Sequence, residues 1–179
     1  SVNGEGKSYV AANLAISQTL LDKKVVLVDL DIRKPILATS FDLSSQGCLT
    51  SYLADESYSI EDTIIKSSIK NLDIIPAGII PPNPSELLQS DRLDALLEEL
   101  RQRYDYIILD SAPTAIVSDT FLLNRIADLT IFVTRANYTT FDLIDSINQT
   151  HKQNRLPKMV AVLNGVKQKQ LVYSYGHRV

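Results

Sequence analysis

The sequence of 179 residues has no tryptophan, one cysteine and one methionine. With Cys48 alone no internal disulfide can form, and a reducing compartment suits the chain. The plain reading of Cys48 is a small buried apolar residue. Basic charge is not in excess either: 18 Lys and Arg stand against 21 Asp and Glu, a formal net charge of -3. That balance argues against a broad nucleic-acid surface, which needs a basic face. No signal peptide is evident, and no apolar run is long enough to cross a bilayer. His151 and His177 stand apart from any cluster with zinc-ligand spacing, and no Ser/His/Asp arrangement stands out. What is present is 45% hydrophobic and 22% charged, a globular composition with length for one well-buried domain.

Apolar runs alternate with amphipathic ones along the whole chain. Val25-Val26-Leu27-Val28, Leu72-Asp73-Ile74-Ile75, Tyr106-Ile107-Ile108-Leu109, Leu129 to Val133 and Lys158 to Leu163 read as five strands. The continuous Val25–Val28 run is that of a strand buried on both faces of a parallel sheet. Between them, helical spacing is expected over Ser8 to about Leu21, with Val10, Ala11, Leu14 and Leu21 on one stripe. Leu93, Leu96, Leu97 and Leu100 place a helix over Asp91 to Arg103, and Thr140 to about Asn154 is a further one with Leu143, Ile144 and Ile147 inward. Another is expected over Ser118 to Ile126. Leu49 to Leu53 suits a short helix, and Pro84-Ser85-Glu86 suits a first helical turn after the rigid Pro81-Pro82-Asn83 loop. Strand–helix alternation of this kind predicts βαβ units and a mainly parallel central sheet between helical layers, an α/β/α fold.

The chain is organised around its first residues, Ser1-Val2-Asn3-Gly4-Glu5-Gly6-Lys7-Ser8. Glycines in a tight turn point successive backbone N–H groups inward, where they cradle phosphate oxygens. Lys7 would reach the β- and γ-phosphates of ATP, Ser8 would place its hydroxyl on Mg²⁺, and the helix that follows adds its positive end. This is the ending of a P-loop, although Ser1 stands where the usual first glycine would be. The strand that normally precedes a P-loop is expected upstream of Ser1. Asp110 ends an apolar strand and is placed as a carboxylate of the magnesium shell. Asp29, Asp31 and Arg33 follow the Val25–Val28 strand, at the strand ends where ligands of open α/β sheets bind. Alternate residues of an extended strand point the same way, so both aspartates are expected to face the metal together, with Mg²⁺ and Arg33 offsetting their charge.

Together these segments resemble Walker A, Walker A′ and Walker B of the bacterial tyrosine kinases, in the right order and over nearly the whole chain. Pro81-Pro82-Asn83-Pro84-Ser85-Glu86-Leu87-Leu88 and Val162-Leu163-Asn164 resemble further segments of that family. The resemblance implies a P-loop NTPase kinase domain over residues 1–170, with 171–179 as the start of a tyrosine tail. It implies autophosphorylation of C-terminal tyrosines, here Tyr173 and Tyr175, largely between neighbouring subunits of a homo-oligomeric ring. Asn3, Gly4, Glu5, Gly6, Lys7, Ser8 and Tyr9 would line the nucleotide site, and Asn164 would contact the adenine. Asp29 would accept or orient the tyrosine hydroxyl proton, and Asp31 would support it and the metal shell with Ser8 and Asp110. A phenol has a pKa of about 10, so a carboxylate and a metal field are what let it attack near neutral pH. The family's domain is the cytoplasmic part of an inner-membrane protein that controls polysaccharide chain length and export. Its expected partners are a membrane activator segment, in the same chain or another, and a tyrosine phosphatase, with no nucleic acid. Related ATPases that position septa or partition DNA carry an extra lysine where this chain has Val2, which speaks against a dimerising ATPase switch. A nucleotide-sensing regulator of the export assembly is the non-enzymatic alternative.

Overall fold

The computed structural model describes residues 2–43, 47–113 and 125–167. The chain divides into two compact units, one of Lys7–Ile126 and one of Ser1–Gly6 with Ala127–Val179.

In the Lys7–Ile126 unit the central element is β1 (Val25–Asp29), whose five residues are all buried. It runs parallel to β3 (Leu72–Ile75) on one side and to β4 (Tyr106–Asp110) on the other. Its side chains alternate between two cores. Val25 and Leu27 join Ala15, Leu37, Leu72 and Ile74, against which Ala11, Ala12 and Ile16 of α1 (Lys7–Thr19) pack. Val26 and Val28 join Leu93, Leu96, Leu97 and Leu100 of α5 (Asp91–Arg103), with Leu49, Tyr52 and Leu53 of α3 (Leu49–Ala54). Helices therefore cover both faces of the sheet, and the uninterrupted valine–leucine run is the sequence mark of that double burial. Each α5 leucine removed from water stabilises the unit by about 1.5–3 kcal/mol. Asp91 and Asp94 in the first turn of α5 and Arg101 and Arg103 in its last complement the helix dipole.

The sheet order is β2-β3-β1-β4, and β2 (Ile65–Lys66) is antiparallel to β3. This two-residue strand is absent from the sequence reading because it is too short to show a period. Asn71, at φ 65°, and the Ser67 N–H to Leu72 carbonyl bond of 3.2 Å turn the chain between the two strands. The buried side of α1 also differs from expectation. It is Ala11, Ala12, Ala15, Ile16 and Thr19, while Leu21 lies beyond the helix end and is 68% exposed. Alanines allow a close approach of helix to sheet, so the small residues face inward. The short helices α2 (Leu37–Ser40) and α4 (Pro84–Leu87) follow β1 and the proline loop. Cys48 is buried and free.

The second unit pairs β5 (Thr130–Arg135) in parallel with β6 (Met159–Asn164), in a register that ends with Arg135 opposite Asn164. The crossover is α6 (Phe141–Lys152), with Thr140 at its N-cap. Leu143 and Ile147 are half-buried as expected of an inner face, but Ile144 is exposed and Thr150 is the buried position of the helix. The helix expected over Ser118 to Ile126 lies almost wholly outside the described residues, and Tyr173 and Tyr175 lie outside them too.

Candidate functional site

Chemistry-bearing residues collect at the carboxyl ends of the strands in both units. In the Lys7–Ile126 unit, Asp29 and Asp110 are register partners at the ends of β1 and β4. Both are buried, at 1% and 3% exposure. Asp29 accepts backbone N–H bonds from Asp31 at 3.1 Å and from Leu37 at 3.3 Å. Burial, and next the charge of Asp110, push its carboxyl up to about 7, against the lowering effect of those two donors. Asp110 is pushed up to about 6, chiefly by burial, with Asp31 adding to the rise. The Ser8 hydroxyl bonds to Asp110 and, with the charge of Lys7, pulls the other way. Asp110 Oδ2 is buried and has no hydrogen-bond partner.

Asp31 lies two residues beyond Asp29, near enough for its charge to raise the carboxyls of both Asp29 and Asp110. The strand stops at Asp29, and the chain turns. Asp31 closes a turn, its Oδ1 accepting from the Lys34 N–H at 3.0 Å. Asp29 is compensated by backbone donors, while Arg33 reaches Ser85 Oγ of α4 at 3.1 Å. Asp29 holds the loop from inside, and Asp31 lies half-buried within reach of the charges of both Asp29 and Asp110.

In the other unit, residues 2–6 form the glycine-rich turn. Gly4 has φ 82° and Gly6 φ 91°, values that disfavour any side chain. A Cβ on Gly6 would lie 2.3 Å from Asn164 Nδ2. Asn164 Nδ2 donates to the Glu5 carbonyl at 2.9 Å, so its amide is engaged with the loop. Glu5 is fully buried, and its carboxylate accepts from the Val2 N–H and from Thr139 Oγ1. Its side chain therefore anchors the turn from beneath, which leaves its backbone N–H as its means of meeting a phosphate. Asn3 and Gly4 are exposed, and Tyr9, one turn into α1, is 68% exposed.

No motif in the sequence singles out Tyr138 or Thr139, and Arg135 alone suits a solvated arginine at least as well as one facing a neighbouring subunit. Arg135 Nη1 donates to the Gly4 carbonyl and Tyr138 Oη to the Asn3 carbonyl, both at 2.9 Å. The available signal was their position, a polar Arg-Ala-Asn-Tyr-Thr-Thr run at the end of β5.

Among the described residues no group of three or more His, Cys, Asp and Glu side chains could hold a metal ion. Two carboxylates and a hydroxyl at the strand ends would form part of a coordination shell, of the kind Mg²⁺ completes with phosphate oxygens and water. The orphaned Asp110 oxygen and the adjacent Ser8 hydroxyl fit that use.

The fold, with a glycine-rich turn leading into α1 and an aspartate ending a parallel strand, is that of a P-loop NTPase. Residues 3–159 match the AAA_31 family, an AAA domain. The tyrosine-protein kinase YwqD of Bacillus subtilis is 37% identical over 173 residues, covering 96% of this chain and 73% of that protein. The Salmonella typhimurium tyrosine-protein kinase Wzc is 34% identical over 96% of this chain, which spans only 24% of that protein. The kinase domain of the Escherichia coli tyrosine kinase ETK superposes with a TM-score of 0.86 at 31% identity, over 94% of this chain and 66% of the other. MinD of Pyrococcus horikoshii, solved with Mg-ADP, shares the fold at 21% identity and a TM-score of 0.69. The chain belongs to the bacterial tyrosine kinases. Among the described residues no helix is long and apolar enough to cross a membrane.

Proposed function

We propose that this chain is an ATP- and Mg²⁺-dependent protein tyrosine autokinase that phosphorylates Tyr173 and Tyr175, mainly in trans within a homo-oligomeric ring. The observation that supports it best is the buried Asp29–Asp110 pair, with one carboxylate oxygen unpartnered and the Ser8 hydroxyl beside it. Two buried carboxylates held side by side are unfavourable unless a cation joins them.

Ser8 and Asp110 would hold Mg²⁺, with Asp31 on its water shell. The ion supplies charge neutralisation for the phosphoryl oxygens. Lys7 would hold the β- and γ-phosphates, and the N–H groups of the glycine turn would orient them. Asn164 would lie near the adenine as well as bracing Glu5. The tyrosine oxygen bonds to the γ-phosphorus, the bond from that phosphorus to the β,γ-bridging oxygen breaks, and ADP leaves. The phenolic proton passes to Asp29, the buried carboxylate at the end of β1. A carboxylate has about four lone-pair sites, so the two N–H bonds to Asp29 leave room for the phenol.

On this reading residues 171–179 begin the acceptor tail, and a strand ahead of Ser1 completes the P-loop's framework. The domain would work in the cytoplasm, attached to the inner membrane through another segment that also activates it. It would serve capsule or exopolysaccharide synthesis and export, opposed by a tyrosine phosphatase. Incubation with Mg-ATP followed by mass spectrometry tests the reading. Phosphate on Tyr173 or Tyr175 that disappears in Lys7→Met and Asp29→Asn is the expected result. ATP hydrolysis with no phosphotyrosine, also in a chain extended upstream of Ser1, would instead indicate an ATPase switch. Nucleotide binding alone would indicate a sensor.

A further inference from the structure

Three successive carbonyls of the glycine turn are each captured by a different side chain. Asn3 O accepts from Tyr138 Oη, Gly4 O from Arg135 Nη1 and Glu5 O from Asn164 Nδ2, all at 2.9 Å. In a trans peptide the carbonyl and the following N–H point in opposite directions, and none of these bonds is cis. Fixing those carbonyls therefore fixes the N–H groups of Gly4, Glu5 and Gly6, turned away from the donors. The donors are held in turn. The Arg135 N–H donates to Thr139 Oγ1 at 2.8 Å, which leaves the Thr139 hydrogen for Glu5 Oε1 at 2.6 Å. The Arg135 guanidinium lies 5.3 Å from the centre of the Tyr138 ring. Asn164 Oδ1 accepts from the Gly165 N–H at 2.8 Å, so the amide presents its nitrogen to the loop.

We infer that Tyr138, Arg135 and Asn164, backed by the Thr139–Glu5 bond, are positioning residues that set the phosphate loop in its anion-binding form before nucleotide arrives. This rests on the nucleotide-binding reading above. Successive N–H groups held in one orientation form an anion nest. A loop ordered during folding need not be ordered during binding, and that gain appears as affinity. The chain thus builds its phosphate site partly from the ends of β5 and β6, through residues that need not touch the nucleotide.

The test is calorimetric titration of Mg-ADP into the purified chain and into Tyr138→Phe, Thr139→Val and Thr139→Ser. Tyr138→Phe removes a hydroxyl and keeps the ring. It should weaken Mg-ADP about three- to tenfold, the range of one net hydrogen bond. The thermal midpoint of the nucleotide-free variant should stay near the parent's. Thr139→Val should weaken binding at least as much, and Thr139→Ser, which restores the hydroxyl, should recover it. Affinities of Tyr138→Phe and Thr139→Val within about twofold of a parent that binds would overturn this inference alone. So would a Thr139→Val loss that Thr139→Ser does not recover while Tyr138→Phe binds like the parent. A parent that binds no Mg-ADP would overturn both the inference and the reading it rests on.

Discussion

In the turn at residues 3–5 every backbone carbonyl has a side-chain donor at 2.9 Å, whereas Asp110 at the end of β4 keeps a buried oxygen with no partner. The turn is over-determined: each peptide plane is held, and the residue beneath it, Glu5, is buried with both carboxylate oxygens engaged. The acidic strand ends are the reverse, two buried carboxyls pushed up to about 7 and about 6 chiefly by burial, which the donors around them and the charge of Lys7 only partly offset. A neutral backbone cradle can be completed within the protein. A cation-binding site is best left incomplete, so that the ligand and its metal supply the missing partner. One region stores order, the other stores electrostatic demand.

The contrast breaks most sharply at Asp110. If Asp110 holds Mg²⁺ as proposed, Asp110→Asn should lower tyrosine phosphorylation by about a hundredfold or more, as loss of a key charge-stabilising group does. The same change relieves the repulsion with Asp29, so the nucleotide-free chain should melt at a higher temperature. Phosphotyrosine by mass spectrometry and a thermal scan would read the two opposite signs. A variant both inactive and less stable would mean that Asp110 is a structural residue.

On the turn side the largest effect belongs to Gly6→Ala. A Cβ there would meet Asn164 Nδ2 at 2.3 Å, and the backbone sits at φ 91°. Asn164 cannot easily give way, because its amide already bonds both Glu5 and Gly165. A stability loss on the order of 2 kcal/mol is expected in denaturant unfolding. Adding Asn164→Ala should return only part of it, since the clash goes but the strain at positive φ stays. Full recovery would show that the clash alone matters.

Much of this frame is legible in the sequence because its signals are local. The valines of β1, the leucine spacing of α5 and the aspartates at two strand ends each announce themselves within a few residues. The buried face of α1 is less so, because alanine carries it and alanine has little hydrophobic contrast. The turn that Asp31 closes is less legible, because the period of two applies only while the strand lasts, and β1 ends at Asp29. The capture of the turn is invisible in sequence. Tyr138 and Asn3, or Asn164 and Glu5, are far apart in the chain, and side-chain-to-carbonyl bonds leave no periodic trace.

The pH dependence sharpens the acidic side. Both carboxyls are raised from the ordinary 3.8, to about 7 for Asp29 and about 6 for Asp110. The folded state therefore holds protons that the unfolded chain has released. Their contribution is fully present below about pH 4 and is lost as pH rises through 6 to 7. The unfolding free energy of the nucleotide-free chain, from denaturant titrations, should fall between about pH 4 and 7 by up to several kcal/mol, at about 1.4 kcal/mol for each unit of pKa by which a carboxyl is raised, with the two groups titrating as a pair. Asp110→Asn should flatten the fall. A profile that is flat in the parent would show that the pair carries no electrostatic demand.

The smallest effect tests the turn from beneath, at Glu5. An ionised carboxylate only accepts, and here it accepts from both the Val2 N–H and the Thr139 hydroxyl. The Thr139 oxygen also accepts from the Arg135 N–H at 2.8 Å, which leaves its hydrogen directed to Glu5. Glu5→Gln keeps the shape and one acceptor. If its oxygen serves Thr139, its NH₂ must face the Val2 N–H, donor against donor; if it serves Val2, the conflict moves to Thr139. Either way one buried bond is lost and one donor is left without an acceptor, for a loss of about 1–2 kcal/mol in unfolding free energy. Glu5→Gln in the Thr139→Val background should cost less, since the amide can then turn its oxygen to Val2 without opposing a hydroxyl. Equal losses in the two backgrounds would show that Thr139 and Glu5 act independently, and that the turn is braced by its captured carbonyls alone.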